Sequence, residues 1–124
     1  MRIVRTDDVD EPFRGPLGEL IYEMIGRPQN LGGTTAHSFV HVILPPGKSS
    51  RPHFHKVAEE TYYGLSGAGH MTVGSESAVL RPGDACLIMP GEIHHIVNRG
   101  DDQLEFITVS APAWTPDDSY YPDV

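Results

Sequence analysis

Residues 51–65 read RPHFHKVAEETYYGL and residues 90–98 read PGEIHHIVN. His53 and His55 stand two apart beside Pro52, in a stretch without helical periodicity. On an extended chain alternate side chains point to one face, so both imidazoles reach one ion. Glu60 lies five residues further on and opens the apolar run Thr61 to Leu65, so a short turn through 56–59 returns its carboxylate to the pair. His94 begins another run just after the turn Pro90-Gly91. Three imidazole nitrogens and one carboxylate oxygen make a mixed N/O set suited to Fe, Mn, Ni, Co, Cu or Zn. An octahedral ion held by four groups keeps positions open, which separates a catalytic site from a closed structural one.

Outward from these two stretches, 13 glycines and 11 prolines recur between short apolar runs instead of gathering in one linker. The runs Glu19 to Ile25, Ser38 to Leu44, Thr61 to Leu65, His70 to Val73, Ser77 to Leu80, Ala85 to Met89, Ile93 to Val97 and Leu104 to Val109 are predicted as strands. Pro45-Pro46-Gly47, Gly67-Ala68-Gly69, Arg81-Pro82-Gly83-Asp84 and Asn98-Arg99-Gly100-Asp101 carry turn chemistry between them. An all-β barrel or jelly roll follows. Val57 to Glu60 is the one weak helical segment. An N-terminal arm of about 15 residues and a tail from Ala111 to Val124 are rich in Asp and Pro. The tail adds Trp114, Tyr120 and Tyr121, so it is expected to pack on the barrel mouth or on a partner subunit.

The length of 124 residues fits one domain spanning the chain. A formal net charge of -8 argues against a nucleic-acid partner. No apolar run approaches the roughly 18 residues needed to cross a bilayer as a helix, so no membrane partner is expected. The start of the chain lacks the apolar segment of a secretory signal, from which a cytoplasmic location is expected. The single cysteine, Cys86, allows no internal disulfide and no thiolate-rich zinc site, so a metal falls to histidine and carboxylate. Cys86 itself sits between Ala85 and Leu87 and reads as core.

The chain resembles the cupins. Their first motif (Gly, five residues, His-x-His, three or four residues, Glu, six residues, Gly) matches Gly47, His53, His55, Glu60 and Gly67. The second (Gly, five residues, Pro-x-Gly, two residues, His, three residues, Asn) matches Gly83, Gly91, His94 and Asn98, with Met89 in place of its Pro and Pro90 just after. The motifs span 47–67 and 83–98. The resemblance implies a double-stranded β-helix, or jelly-roll, barrel with His53, His55, Glu60 and His94 as ligands of one divalent transition metal. The glycines are then turn positions. Glu59 is the rival carboxylate, but it leaves seven residues before Gly67 instead of six. A small-molecule substrate or ligand, and a homodimer with Met1 to Val9 as the exchanged strand, are further implications. The reactions implied are those of a dioxygenase, or of an isomerase or lyase working through an enediolate. The alternatives are a binding module without turnover and an accessory cyclase of a biosynthetic pathway.

Tyr62 shares parity with Glu60 and is predicted to point inward, with Tyr63 outward. Tyr62 and His41 are the candidates for an acid or base beside the ion. His37, His70 and His95 read as ordinary partly buried residues, and His95 faces away from His94's side. Arg51 and Arg99 read as exposed charges, although either can meet a substrate carboxylate. Phe39, Ile43 and Phe106, or their opposite-parity neighbours, are expected to form an apolar pocket wall.

Overall fold

Alternation of side chains along each run decides which residues face inward. The computed structural model describes residues 1–122; Asp123 and Val124, the end of the expected tail, lie outside the described residues. Among the described residues nine strands form: β1 (Phe13–Arg14), β2 (Leu20–Ile25), β3 (Ser38–Leu44), β4 (Glu59–Ser66), β5 (Gly69–Val73), β6 (Glu76–Leu80), β7 (Ala85–Ile88), β8 (His94–Val97) and β9 (Leu104–Ala111). The eight expected runs correspond to β2 through β9, while the two-residue β1 carries no periodic signal and exists through its pairing with β2. Val57 to Glu60 is not helical: the chain bends at residues 56–57 and enters β4 at Glu59. No helix among the described residues is long and apolar enough to cross a membrane.

The strands make a six-stranded sheet, ordered β1-β2-β3-β9-β4-β7, and a three-stranded sheet, ordered β6-β5-β8. All named pairings are antiparallel. The two sheets enclose one core as a jelly-roll barrel. Residues 49–53 extend the smaller sheet along β8 through bridges Ser49 to Val97 and His53 to His94. Asn98 closes the far end of this region: its side-chain amide donates to the carbonyls of Leu44 (2.8 Å) and Asp102 (2.9 Å).

Register turns the barrel interior into a gradient. Inward positions of β3 read Ser38, Val40, Val42, Leu44, and those of the antiparallel β9 read Leu104, Phe106, Thr108, Ser110. Pairing sets Leu44 opposite Leu104 at one end and Ser38 opposite Ser110 at the other. On the smaller sheet, Met71 pairs with Ile96 while Val73 pairs with His94. Leu44, Ile96, Leu104 and Phe106 are at most 1% exposed. Burying each contributes about 1.5–3 kcal/mol, so apolar stabilisation is concentrated at one end and the other end is left polar. Gly64 keeps the β4 wall tight, since a Cβ there would collide with the Arg81 carbonyl.

Candidate metal centre

The polar end gathers four side chains. Glu60 takes an inward position of β4 and is 7% exposed, whereas its neighbour Glu59 is exposed to solvent. β4 pairs Glu60 with Ser110 of β9, and the Ser110 hydroxyl donates to Glu60 Oε2 at 2.9 Å. His94, fully buried, opens β8, and its backbone exchanges two hydrogen bonds with His53 (2.9 and 3.1 Å). The turn before it tolerates Met89 in place of proline, because the Glu92 carboxylate accepts the Met89 N–H at 2.8 Å and Gly91 adopts a φ of 87°. Gly91 also donates its N–H to the His55 carbonyl at 2.7 Å, tying the turn to the third histidine.

Backbone carbonyls set the tautomer of all three rings. His53 Nδ1 lies 2.7 Å from the Arg51 carbonyl, His55 Nδ1 2.9 Å from that of Asp118, and His94 Nδ1 2.9 Å from that of Glu92. A carbonyl only accepts, so each Nδ1 carries the hydrogen and each neutral ring keeps its lone pair on Nε2. One ligand atom from each of His53, His55, Glu60 and His94 lies within 4.8 Å of the others.

His55 Nε2, Glu60 Oε1 and His94 Nε2 are buried and lack a hydrogen-bond partner. Glu60 Oε1 is 3.2 Å from His94 Nε2 and 3.6 Å from His55 Nε2, near enough for attraction but without hydrogen-bond alignment. Three orphaned polar atoms at one place are costly unless something else satisfies them. A cation among them would do so, and the N/O donor set fits a divalent transition ion. Burial opposes ionisation of Glu60, but its contacts with His55 and His94 outweigh this and hold the carboxyl well below the usual carboxylate range. Burial, with the nearby His94, lowers His53 to about 4, so that ring is neutral at pH 7. For His55 burial works downward, and the Glu60 contact overrides it and raises the pKa.

A cavity of about 720 Å³ opens beside the cluster, with His53, His55 and Glu60 in its wall. The family model for the cupin domain matches residues 40–110, which contain the whole cluster and both sheets' core strands. The chain belongs to the cupin family. An uncharacterised protein of Methanocaldococcus jannaschii is 31% identical over 120 residues, covering 96% of this cupin and 94% of that protein. An oxalate-binding protein of Thermotoga maritima is 38% identical over 74 residues, covering 60% of this chain and 61% of its own. The tetracenomycin polyketide synthase protein of Streptomyces glaucescens is 30% identical over 74 residues, covering 60% of this chain and 49% of its own. Among solved structures, a predicted oxalate decarboxylase of Thermotoga maritima superposes with a TM-score of 0.77 at 27% identity, covering 90% of this chain and 99% of that one. A cupin sugar phosphate isomerase of Silicibacter pomeroyi gives a TM-score of 0.76 at 22% identity, covering 99% of this chain and 83% of that one, a likeness of fold.

Around this cupin's cluster, the other candidate residues divide. Tyr62 is 4% exposed, stacks on Phe106 with centroids 5.0 Å apart and meets His94 edge-on at 5.9 Å. Burial, with the charge of Glu60, keeps its hydroxyl protonated well above the ordinary tyrosine range, so it can donate but not act as a base near neutral pH. His41 does not stand beside the cluster. Val40 and Val42 take the inward positions of β3, and the His41 ring sits on the other face, bonded to Thr6 Oγ1 and Glu105 Oε1, each at 2.9 Å. Phe39 and Ile43 share that outer parity, so Val40, Val42 and Phe106 form the apolar wall. Arg51 is half-buried at the cavity, 4.0 Å above the Tyr121 ring, while Arg99 is exposed. Cys86 packs partly buried against the core, which raises its thiol pKa.

The N-terminal arm lies over its own barrel, where Arg2, Val4 and Val9 line the cavity. The tail does the same with Trp114 and Tyr121, and Tyr120 stacks on Phe54 at 5.3 Å. Three contributors to the site carried no motif: Glu19, Ser110 and Asp118. The rise in polarity along the inward positions of β9, from Leu104 to Ser110, was the readable sign of Ser110. For Asp118 no local sign exists.

Proposed function

We propose that this cupin is a metal-dependent enzyme acting on a small organic molecule, with His53, His55, Glu60 and His94 as the ligands of one divalent transition ion. The observation that carries the reading is the set of three buried, unpartnered ligand atoms at a cavity wall. When bound, the ion supplies Lewis acidity toward a carbonyl, enolate or carboxylate oxygen and, if redox-active, a site for dioxygen. The chain's own residues do the rest. Ser110 holds the second oxygen of Glu60, which leaves Oε1 for the ligand set. Val40, Val42 and Phe106 exclude water from one side of the cavity, and Arg51 at its wall suits a substrate carboxylate. Two reaction branches agree with this arrangement: isomerase or lyase chemistry through an enediolate, and dioxygenase chemistry.

Metal analysis of untagged protein purified without chelator is expected to give one transition ion per chain; protein that holds none and takes none up would end this reading. On the loaded protein, an oxygen electrode with catechols, flavonols and small diketones separates the branches, since uptake that requires one of these belongs to the dioxygenase alone. A second reading, binding without turnover, draws support from the 38% identical Thermotoga protein named for binding oxalate. An accessory role in a biosynthetic pathway draws on the Streptomyces relative. A homodimer belongs to the same proposal: Phe39, Tyr63, Leu65 and Leu87, all on the large sheet, are 36–57% exposed and form a strip that a second copy would cover. Light scattering at micromolar concentration is expected to show twice the chain mass, and a monomer would refute it.

A further inference from the structure

Of the cavity's carboxyls outside the ligand set, Asp8, Asp10 and Glu11 are exposed, while Glu19 and Glu23 are half-buried. Glu19, Ile21 and Glu23 alternate along β2 and its entry and line the cavity, while Tyr22 meets His41 on the other face. The turn ahead of β2 aims Glu19. Its carbonyl accepts the Gly15 N–H at 2.8 Å, Gly18 closes the turn onto the Gly15 carbonyl at 3.1 Å with a φ of 102°, and a Cβ on Gly15 would collide with the Glu19 side chain. Glycine at both positions is therefore what lets this side chain fold in over the turn.

The Glu19 carboxyl has no hydrogen bond or ion pair with any described residue and is only partly exposed. Carboxyls withdrawn from water normally acquire a partner, so this one is kept at a cost, in the same cavity as His53, His55 and Glu60. Burial first, and the charge of Glu60 second, raise its pKa to about 7. The larger cause is independent of Glu60. Burial, which does not depend on the ligand set, favours the protonated form and so a carboxyl that can take up a proton and return it.

We propose that Glu19 is the general acid–base of this site, moving a proton at a substrate carbon adjacent to the oxygen that the ion polarises. The inference rests on the metal-dependent reading above and selects its isomerase or lyase branch. In the step, the C–H bond next to a carbonyl breaks, its electron pair forms the carbon–carbon double bond of an enolate, and the carbonyl π pair moves to oxygen. The proton goes to a Glu19 oxygen. When Glu19 trades that proton with solvent before returning one to the same carbon, the result is exchange; for an α-hydroxy carbonyl, delivery to the former carbonyl carbon, with the hydroxyl proton passing to the enolate oxygen, gives isomerisation. Nothing is oxidised or reduced overall, and no co-reactant is consumed.

The test follows loss of α-proton signals by NMR in D2O, using zinc-loaded protein with pyruvate, dihydroxyacetone and glyceraldehyde as probes. At least one probe is expected to exchange faster than with metal-free protein. Glu19→Gln is expected to slow that exchange by about 10²- to 10⁴-fold, to retain one zinc per chain and to melt no lower than wild type, because an unpaired carboxyl has been removed. Exchange unchanged in Glu19→Gln, or no exchange of any probe by the loaded wild type, would overturn the assignment of Glu19. A wild type that takes up no zinc would overturn the metal-dependent reading instead.

Discussion

His94→Ala is expected to purify with less than a tenth of the wild-type transition metal and to gain no thermal stability from added metal. His94 is fully buried, its Nδ1–H is committed to the Glu92 carbonyl at 2.9 Å, and its Nε2 faces the other ligand atoms without a partner. Its only remaining chemical use is as a donor to something placed among them. Loss of an outer partner of a metal ligand costs about 10–100-fold in affinity, and loss of the ligand itself should cost more. At a free metal concentration 100 times Kd, the wild type gains about 2.7 kcal/mol, a rise in Tm on the order of 10 °C for a domain of this size. The variant's Tm should not respond. His95→Ala is the control, because His95 stands outside the cluster. Wild-type uptake should also weaken with acid, since protons compete for the ligands. Competition starts at His55, whose pKa is raised, and reaches His53 only near its value of about 4. A His94→Ala protein that still carries one ion per chain would remove the proposed centre.

Asp118→Ala is expected to lower both Tm and metal affinity, although Asp118 is not among the four ligands. One carboxylate oxygen accepts the N–H groups of Lys56 (2.9 Å) and Val57 (3.1 Å), and the other accepts that of Ala58 (3.0 Å). The Asp118 carbonyl meanwhile accepts the Nδ1–H of His55. The tail thus holds both the bend between His55 and Glu60 and the ring orientation of His55. Removing a charged acceptor shared by three backbone N–H groups, of which that of Ala58 is buried, should cost roughly 2–4 kcal/mol, and loosening His55 should weaken metal binding by about 10–100-fold. Asp118→Asn, which keeps one acceptor oxygen, should recover part of both losses. Although burial opposes ionisation, these three N–H groups hold the carboxyl below its ordinary value. Its contribution is therefore present above the unfolded-state pKa of about 4 and is lost as the pH falls through the folded value. Calorimetry and a metal titration check the two effects separately. Full metal affinity in a variant with lowered Tm would reduce Asp118 to a staple for the tail.

The neighbouring residues that the sequence did not reveal share one physical character. Asp118 is 63 residues from His55, and no short-range rule connects a tail aspartate to a ligand's tautomer. Glu19 was visible as a strand start, but its relation to the cluster depends on where β2 lies in the large sheet. His41 was the converse error. A histidine in a strand near a predicted metal site is a fair candidate, yet Val40 and Val42 have the stronger claim on the inward face, because burying them releases apolar surface from water. Tyr62 was easier, since parity with Glu60 along one unbroken strand orders both side chains inward.

The stretches at 51–65 and 90–98 determined the N/O donor set and named His53, His55, Glu60 and His94 as candidates, with Glu60 preferred to Glu59 on the motif interval to Gly67, and the runs and turns outward from them determined the β character. These depend on side-chain alternation, φ preferences and ligand chemistry, which act within a few residues. Tertiary structure alone decided that Ser110 secures Glu60, that Asp118 orients His55, that His41 faces away and that Glu19 enters the cavity. Each depends on sheet order and register, which are set by the faces that bury together across the barrel.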